Sequence, residues 1–265
     1  MDPGLIVSVG QSVTRIRFAR PESRNALTRS VCGALRDALA AAAAAPACRF
    51  VVIEGCGGAF ASGADIAELE RLREDRAELL AFYRELRGTQ ELLYGLEKIT
   101  IAVIDGFCIG AGLSLALACD LRLATPRSVF AAPPAKIGLI YSDLEVGRLA
   151  LRIGAAKARD LLFTGRRVAA DEALRIGLIE RLAEPEAVGA VEGVEATERA
   201  LTELLEQLAT SAPYSLRQTK QQLLRWEGAR LGDPSGEAAA EEAFFRADAG
   251  EGMRAFLERR VPRFS

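Results

Sequence analysis

A run of glycines between two apolar stretches is the part of this chain best suited to chemistry. In Ile101-Ala-Val-Ile-Asp-Gly-Phe-Cys-Ile-Gly-Ala-Gly-Leu-Ser-Leu-Ala-Leu-Ala-Cys-Asp120, a short buried strand over Ile101–Ile104 is expected to enter a tight turn from Gly106 to Gly112. An apolar helix then starts near Leu113. Such a strand-turn-helix leaves backbone N–H groups unpaired at the positive end of the helix dipole. Those amides suit an oxygen that gains negative charge during a reaction. The same glycines would also serve a plain buried α/β unit that needs only close packing. Histidine is absent from the chain. That excludes any Ser-His or Cys-His nucleophile and argues against a zinc site.

The elements that must hold this turn follow from the rest of the pattern. With 265 residues and 50% hydrophobic content, the chain can build one sizeable core. Its net charge of -2 gives no footprint for nucleic acid. Cys32, Cys48, Cys56, Cys108 and Cys119 lack C-x-x-C spacing and read as reduced packing residues of a cytoplasmic protein. Met1–Gly10 has neither the basic start nor the apolar run of a signal peptide. Ile99–Ala118 is apolar enough to resemble a membrane span, but Asp105 and three mid-segment glycines favour a buried core and no membrane.

Leu5–Val9 and Val13–Phe18 alternate as two strands around a turn at Gly10. Thr28 is placed to cap a helix running to about Ala45, which Pro46 stops. Phe50–Glu54 reads as a buried strand, Gly55–Gly58 as a turn, and Ile66–Glu97 as one long charged helix. Strands follow at Asp120–Ala124 and Val129–Ala132, then a loop over Pro133–Tyr141 and a helix capped by Ser142 or Asp143. Ala156–Phe163 and Ala169–Ile176 read as helices and Ile179–Leu182 as a strand. Glu184–Val194 reads as a linker; beyond Ala196 the chain is helical, with breaks at Pro213 and Gly232–Gly236. The order is α/β followed by an all-helical tail. The expected division is a core over residues 1–195 and a helical region over residues 196–265.

Seven stretches, in order, together resemble the enoyl-CoA hydratase/isomerase (crotonase) superfamily. They are Arg20-Pro-Glu-Ser-Arg-Asn-Ala-Leu27, Ala59-Phe-Ala-Ser-Gly-Ala-Asp-Ile66, Asp105-Gly-Phe-Cys-Ile-Gly-Ala-Gly112, Ala118-Cys-Asp120, Leu161-Leu-Phe-Thr-Gly165, Ala173-Leu-Arg-Ile-Gly-Leu178 and Glu251-Gly-Met-Arg-Ala-Phe256. The resemblance implies a spiral of ββα units with a C-terminal helical region that mediates trimers or dimers of trimers. It implies an acyl-CoA thioester as ligand, with coenzyme A entering only as part of the substrate and no separate cofactor or metal. It places the thioester oxygen against the N–H groups of Ala64 and Ala111. Ala26, Leu27, Asp65 and Ile66 match positions that line the coenzyme arm. Arg259 matches a basic position that reaches coenzyme phosphates, often of a neighbouring subunit, although Glu258-Arg-Arg260 would also suit an ordinary solvated charge.

The chain departs from that pattern at the acids. Hydratases of the family use two glutamates, one to activate water and one to deliver a proton. Here the positions hold Ser114 and Pro134. Standard hydration, and simple isomerisation through an acid at position 134, are therefore disfavoured. Phe130–Tyr141 resembles the same stretch of methylmalonyl-CoA decarboxylases, where the tyrosine is proposed to contact the reacting carboxylate; those enzymes carry histidine where Ala64 stands. Decarboxylation needs the oxyanion hole and no C–H base. Tyr141 is the candidate there, its alternative a half-buried loop tyrosine with a satisfied hydroxyl. Asp143 lies one place from an acid of the family's dienoyl-CoA isomerases; as a first-turn residue it would stabilise a helix without chemistry, and the same holds for Glu145. The expectation is an acyl-CoA lyase or isomerase of fatty acid metabolism; the alternative is a catalytically silent acyl-CoA-binding protein.

Overall fold

A computed structural model of the chain describes residues 4–183, 194–231 and 237–264. Strands β1 (Leu5–Val9) and β2 (Val13–Phe18) form the antiparallel hairpin, closed by Gly10 N–H on the Val13 carbonyl. Helix α1 (Arg29–Ala44) begins at Thr28, whose side chain accepts from Val31 N–H. It buries Val31, Leu35, Leu39 and Ala42, one face at helical spacing.

From here one plan repeats. Strand β3 (Phe50–Gly55) leads to β4 (Ala59–Ala61), then helices α2 (Ile66–Leu72) and α3 (Arg76–Gly95). Strand β5 (Ile99–Ile104) leads to β6 (Phe107–Ile109) and helix α4 (Ala111–Ala118). Strand β7 (Leu121–Ala124) leads to β8 (Val129–Ala131), a 3-10 turn over Pro134–Ile137, and helix α5 (Asp143–Thr164). Strand β9 (Val168–Ala169), helix α6 (Ala170–Arg175) and strand β10 (Arg181–Leu182) follow. The β3–β4, β5–β6 and β7–β8 units each give their first strand to a six-stranded sheet, β1-β2-β3-β5-β7-β10, and their second to a four-stranded sheet, β4-β6-β8-β9, which β9 closes antiparallel to β8. Successive units pair in parallel, with Val52 beside Ile101, Ile101 beside Leu121, and Cys108 beside Phe130. Strand β5 is buried along its whole length, as a strand covered on both faces must be.

Helices α7 (Val194–Ala209), α8 (Pro213–Leu231), α9 (Glu237–Ala243) and α10 (Ala247–Leu257) complete the described chain. They do not stand apart. Leu201 and Leu204 of α7 pack with Val52, Ile101 and Leu123 on one face of the large sheet. Ala240, Phe244, Ala249 and Met253 join the main core with Phe18, Phe60, Phe82 and Leu113.

Several local expectations change. The charged stretch after Asp65 is two helices, because Asp75 accepts from Ala77 and Glu78 N–H and starts α3 afresh. The glycine-rich segments contain the short strands β4 and β6, and α4 starts at Ala111 rather than Leu113. Of the two expected caps Ser142 is the one used, and α5 runs on through a kink at Gly154 (φ 76°) instead of stopping before Ala156. The helix ends at Leu257, before the C-terminus. Most of the Glu184–Val194 linker, and the Gly232–Gly236 break, lie outside the described residues.

Candidate active site

A cavity of about 400 Å³ opens where the two glycine-containing turns meet. Ala64 and Ala111 both form its wall. How each presents its amide follows from the backbone around it. Leu27 N–H donates to the Gly63 carbonyl at 2.8 Å, and Asp65 N–H donates to the Leu27 carbonyl at 2.9 Å. This is a parallel bridge between Leu27 and Ala64. In that pattern the flanking residues bond across, and the N–H of Ala64 itself points to the other side. Ala111 is the first residue of α4, where a helix supplies no acceptor for N–H. Neither amide bonds to a described residue.

The two turns abut. A methyl group placed on Gly63 would lie 3.3 Å from the Ile109 carbonyl oxygen and 3.8 Å from Ala111 N. Gly110, the N-cap of α4, holds φ 58° and ψ -127°, a conformation that side chains resist. A methyl on Gly112 would lie 2.3 Å from the Ala61 carbonyl oxygen, so α4 rests directly on β4. The fold thus brings two unpaired N–H groups to facing turns on one cavity wall.

The rest of the wall is mostly apolar. Leu69, Phe82, Leu86, Ile137, Leu139 and Phe244 contribute, with Ile66 and Phe256. Pro134 lies in it and offers no acid. Ser114 is 3% exposed, and its hydroxyl reaches the Gly110 carbonyl at 3.4 Å. Tyr141 forms part of the wall, and its hydroxyl is buried without a hydrogen-bond partner among the described residues. Burial foremost, then the charge of Glu145, pushes the phenol well above its ordinary value, opposed by the nearby Ser114 hydroxyl.

Other candidate residues sit differently. Ala26 and Leu27 are buried outside the wall, where Leu27 sets the direction of the Ala64 amide. Asp65 caps α2 by accepting from Glu68 N–H at 3.1 Å and meets Arg20 at 3.6 Å. Asp143 begins α5 and is not part of the wall. Arg259 is exposed, at φ 55°, just past α10 and off the wall, while Phe256 lines it. Glu145, weighed from the sequence beside Asp143, does lie in the wall, and the structure adds Arg24, Lys136 and Arg167. Arg24 and Arg167 lie 5.1 and 5.9 Å from the Phe107 ring centre. Arg24 stands inside a stretch that carried the resemblance, yet its own charge gave no separate signal.

No metal-binding group of His, Cys, Asp or Glu occurs among the described residues, and no helix among them is long and apolar enough to cross a membrane.

Comparison with known proteins agrees with this architecture. Residues 8–265 match the family described as enoyl-CoA hydratase/isomerase. A Thermus thermophilus protein provisionally named enoyl-CoA hydratase is 39% identical over 249 residues, covering 92% of this chain and 94% of its own length. The bovine mitochondrial enoyl-CoA hydratase domain-containing protein 2 is 35% identical, over 96% of this chain and 84% of its own length. The crystal structure of a methylmalonyl-CoA decarboxylase superposes with a TM-score of 0.82 at 25% identity, covering 98% of this chain and 97% of the other.

Proposed function

The chain belongs to the enoyl-CoA hydratase/isomerase family, and on that premise we propose that it is an enzyme of acyl-CoA thioesters built on the amides of Ala64 and Ala111. The observation that carries this reading is the pair of unpaired N–H groups on facing turns of one apolar cavity. As the thioester carbonyl becomes an enolate, its oxygen gains charge that two fixed donors stabilise, each by about 3 kcal/mol. A side chain is not needed for a backbone donor, so alanine suffices at both positions. Arg24, Lys136 and Arg167 on the wall suit the phosphates of coenzyme A. Arg259 would reach phosphates of a neighbouring subunit in a trimer or a pair of trimers. Ile66 and Asp65 stand beside the coenzyme arm.

The reaction favoured is loss of carbon dioxide from a thioester that bears a carboxylate on the carbon next to its carbonyl, with atypical isomerisation second. The C–C bond breaks as a carboxylate lone pair completes carbon dioxide; its electron pair becomes the C=C bond of the enolate, the carbonyl π pair moves onto the oxygen held by the two amides, and a proton from solvent then returns to that carbon. Ser114 and Pro134 leave ordinary hydration without its two acids. Tyr141, whose buried hydroxyl has no hydrogen-bond partner among the described residues, would orient the departing carboxylate. The reading places the protein in fatty acid metabolism and in the cytoplasm; the bovine, human and mouse relatives are named mitochondrial.

The absence of both glutamates also favours a second reading, a silent acyl-CoA-binding protein. Mass spectrometry after incubation with methylmalonyl-CoA, crotonyl-CoA and a dienoyl-CoA, beside a binding titration with butyryl-CoA, separates the two. Carbon dioxide loss supports decarboxylation. Gain of water refutes the argument from the missing glutamates. Binding without product selects the silent reading, and absence of binding refutes both.

A further inference from the structure

Among the described residues the cavity wall holds one carboxylate, and it stands at neither position where the resemblance places acids. Glu145 lies in the first turn of α5, four residues beyond Tyr141. Its Oε2 accepts from Ser142 N–H and from the Ser142 hydroxyl, each at 3.0 Å. The Ser142 hydroxyl oxygen accepts in turn from Glu145 N–H at 3.3 Å. This capping box fixes the side chain through a residue that is itself 1% exposed. Glu145 Oε1 bonds to no described residue. The carboxylate of this wall residue is therefore held in place by one oxygen while the other bonds to no described residue, an arrangement suited to a pre-positioned proton acceptor. The other ionisable groups of the wall do not fill that role. Arg24, Lys136 and Arg167 are cations, and the phenols of Tyr83 and Tyr141 are weak acids. Asp143 is off the wall.

We infer that Glu145 is the base of this site: it removes a proton from the carbon next to a bound thioester carbonyl and returns one to it. The inference rests on the oxyanion-hole reading above and adds an activity that needs no leaving carboxylate. The C–H bond breaks and its proton forms an O–H bond on Glu145 Oε1. The electron pair of that bond becomes the C=C bond of the enolate, and the carbonyl π pair moves onto the oxygen held by Ala64 and Ala111 N–H. The return step reverses each change. With a saturated thioester the net result is exchange of that hydrogen with solvent; with a β,γ-unsaturated one, return at the far end of the three-carbon unit moves the double bond.

The test uses butyryl-CoA in deuterium oxide, read by mass spectrometry, with a parallel binding titration. The wild type is expected to bind butyryl-CoA and add deuterium next to the carbonyl. Glu145→Gln keeps an amide oxygen for the capping box; it should unfold at the wild-type temperature and bind within about twofold, yet exchange at least about 100-fold more slowly. Wild-type binding without exchange overturns the role of Glu145 and leaves the oxyanion hole standing. Exchange undiminished in Glu145→Gln, or lost instead in Asp143→Asn, also overturns it. Failure of the wild type to bind removes the thioester reading, and the inference with it.

Discussion

Replacing Gly112 by alanine should damage stability and chemistry together, because one contact supports both. The added methyl would sit 2.3 Å from the Ala61 carbonyl oxygen and 2.9 Å from the Ala61 Cβ. Carbon–oxygen contacts settle at about 3.3 Å or more, so α4 must retreat from β4 by roughly 1 Å. Overpacking of this kind costs about 1–3 kcal/mol. Ala111 N–H stands at the start of the same helix and moves with it. A displacement of about 1 Å in a positioned group lowers a rate on the order of 100-fold. Gly88 supplies the control. It lies in α3, is exposed, and a methyl there would meet nothing within 4 Å. Gly88→Ala should gain about 0.5–1 kcal/mol from helix propensity and leave the rate unchanged. Urea unfolding measures the first quantity, and turnover of the acyl-CoA substrate the second. A Gly112→Ala protein that unfolds at the wild-type urea concentration and keeps full turnover would refute the close-packing argument.

Tyr141→Phe removes a buried hydroxyl that has no hydrogen-bond partner among the described residues, so thermal unfolding should show a gain of about 1 kcal/mol; carbon dioxide release from methylmalonyl-CoA should fall by roughly 100-fold, and a loss of stability, or release at the wild-type rate, would contradict the placement. Arg127 foremost holds the Asp105 carboxyl below its usual range, against burial and with help from Thr125. The resulting stability is present above about pH 4, the unfolded value, and is lost as pH falls through the depressed folded one. Asp105→Asn should therefore be less stable than wild type near neutrality in denaturant melts, with a gap that closes in acid; a gap that widens on acidification would contradict this sign. Burial pushes the Cys32 and Cys119 thiols up to about 12 and Cys108 also well above its ordinary value. Iodoacetamide at pH 8 should label half-buried Cys56 in the folded protein and the other four cysteines only in denaturant, and rapid labelling of native Cys108 would contradict the packing around β6.

Much of the scaffold was legible because its signals are local. The β1–β2 hairpin shows in alternation, and the start of α1 shows in Thr28 before an alanine-rich run. The Gly106–Gly112 turn already suggested free amides, and the ordered motifs paired it with the Ser62-Gly63-Ala64 turn. What the chain hid has physical causes. Three-residue strands such as β4 and β6 are too short to show a period. The break before Asp75 sits in a charged run, where a capping aspartate looks like one more surface acid. Successive residues of an α-helix point about 100° apart, so of the two acids in the first turn of α5 Glu145 lines the cavity and Asp143 does not; with the cap left between Ser142 and Asp143, the sequence could not separate them. The return of Phe244 and Met253 to the core is a long-range contact that no local pattern announces.

The most direct test of the central claim is a crystal structure with butyryl-CoA bound. The thioester oxygen should lie about 2.7–3.1 Å from both Ala64 N and Ala111 N, with the acyl chain directed at Phe82 and Phe244 and Glu145 facing the carbon next to the carbonyl. A thioester bound elsewhere, or an oxygen that meets only one of the two amides, would contradict the account.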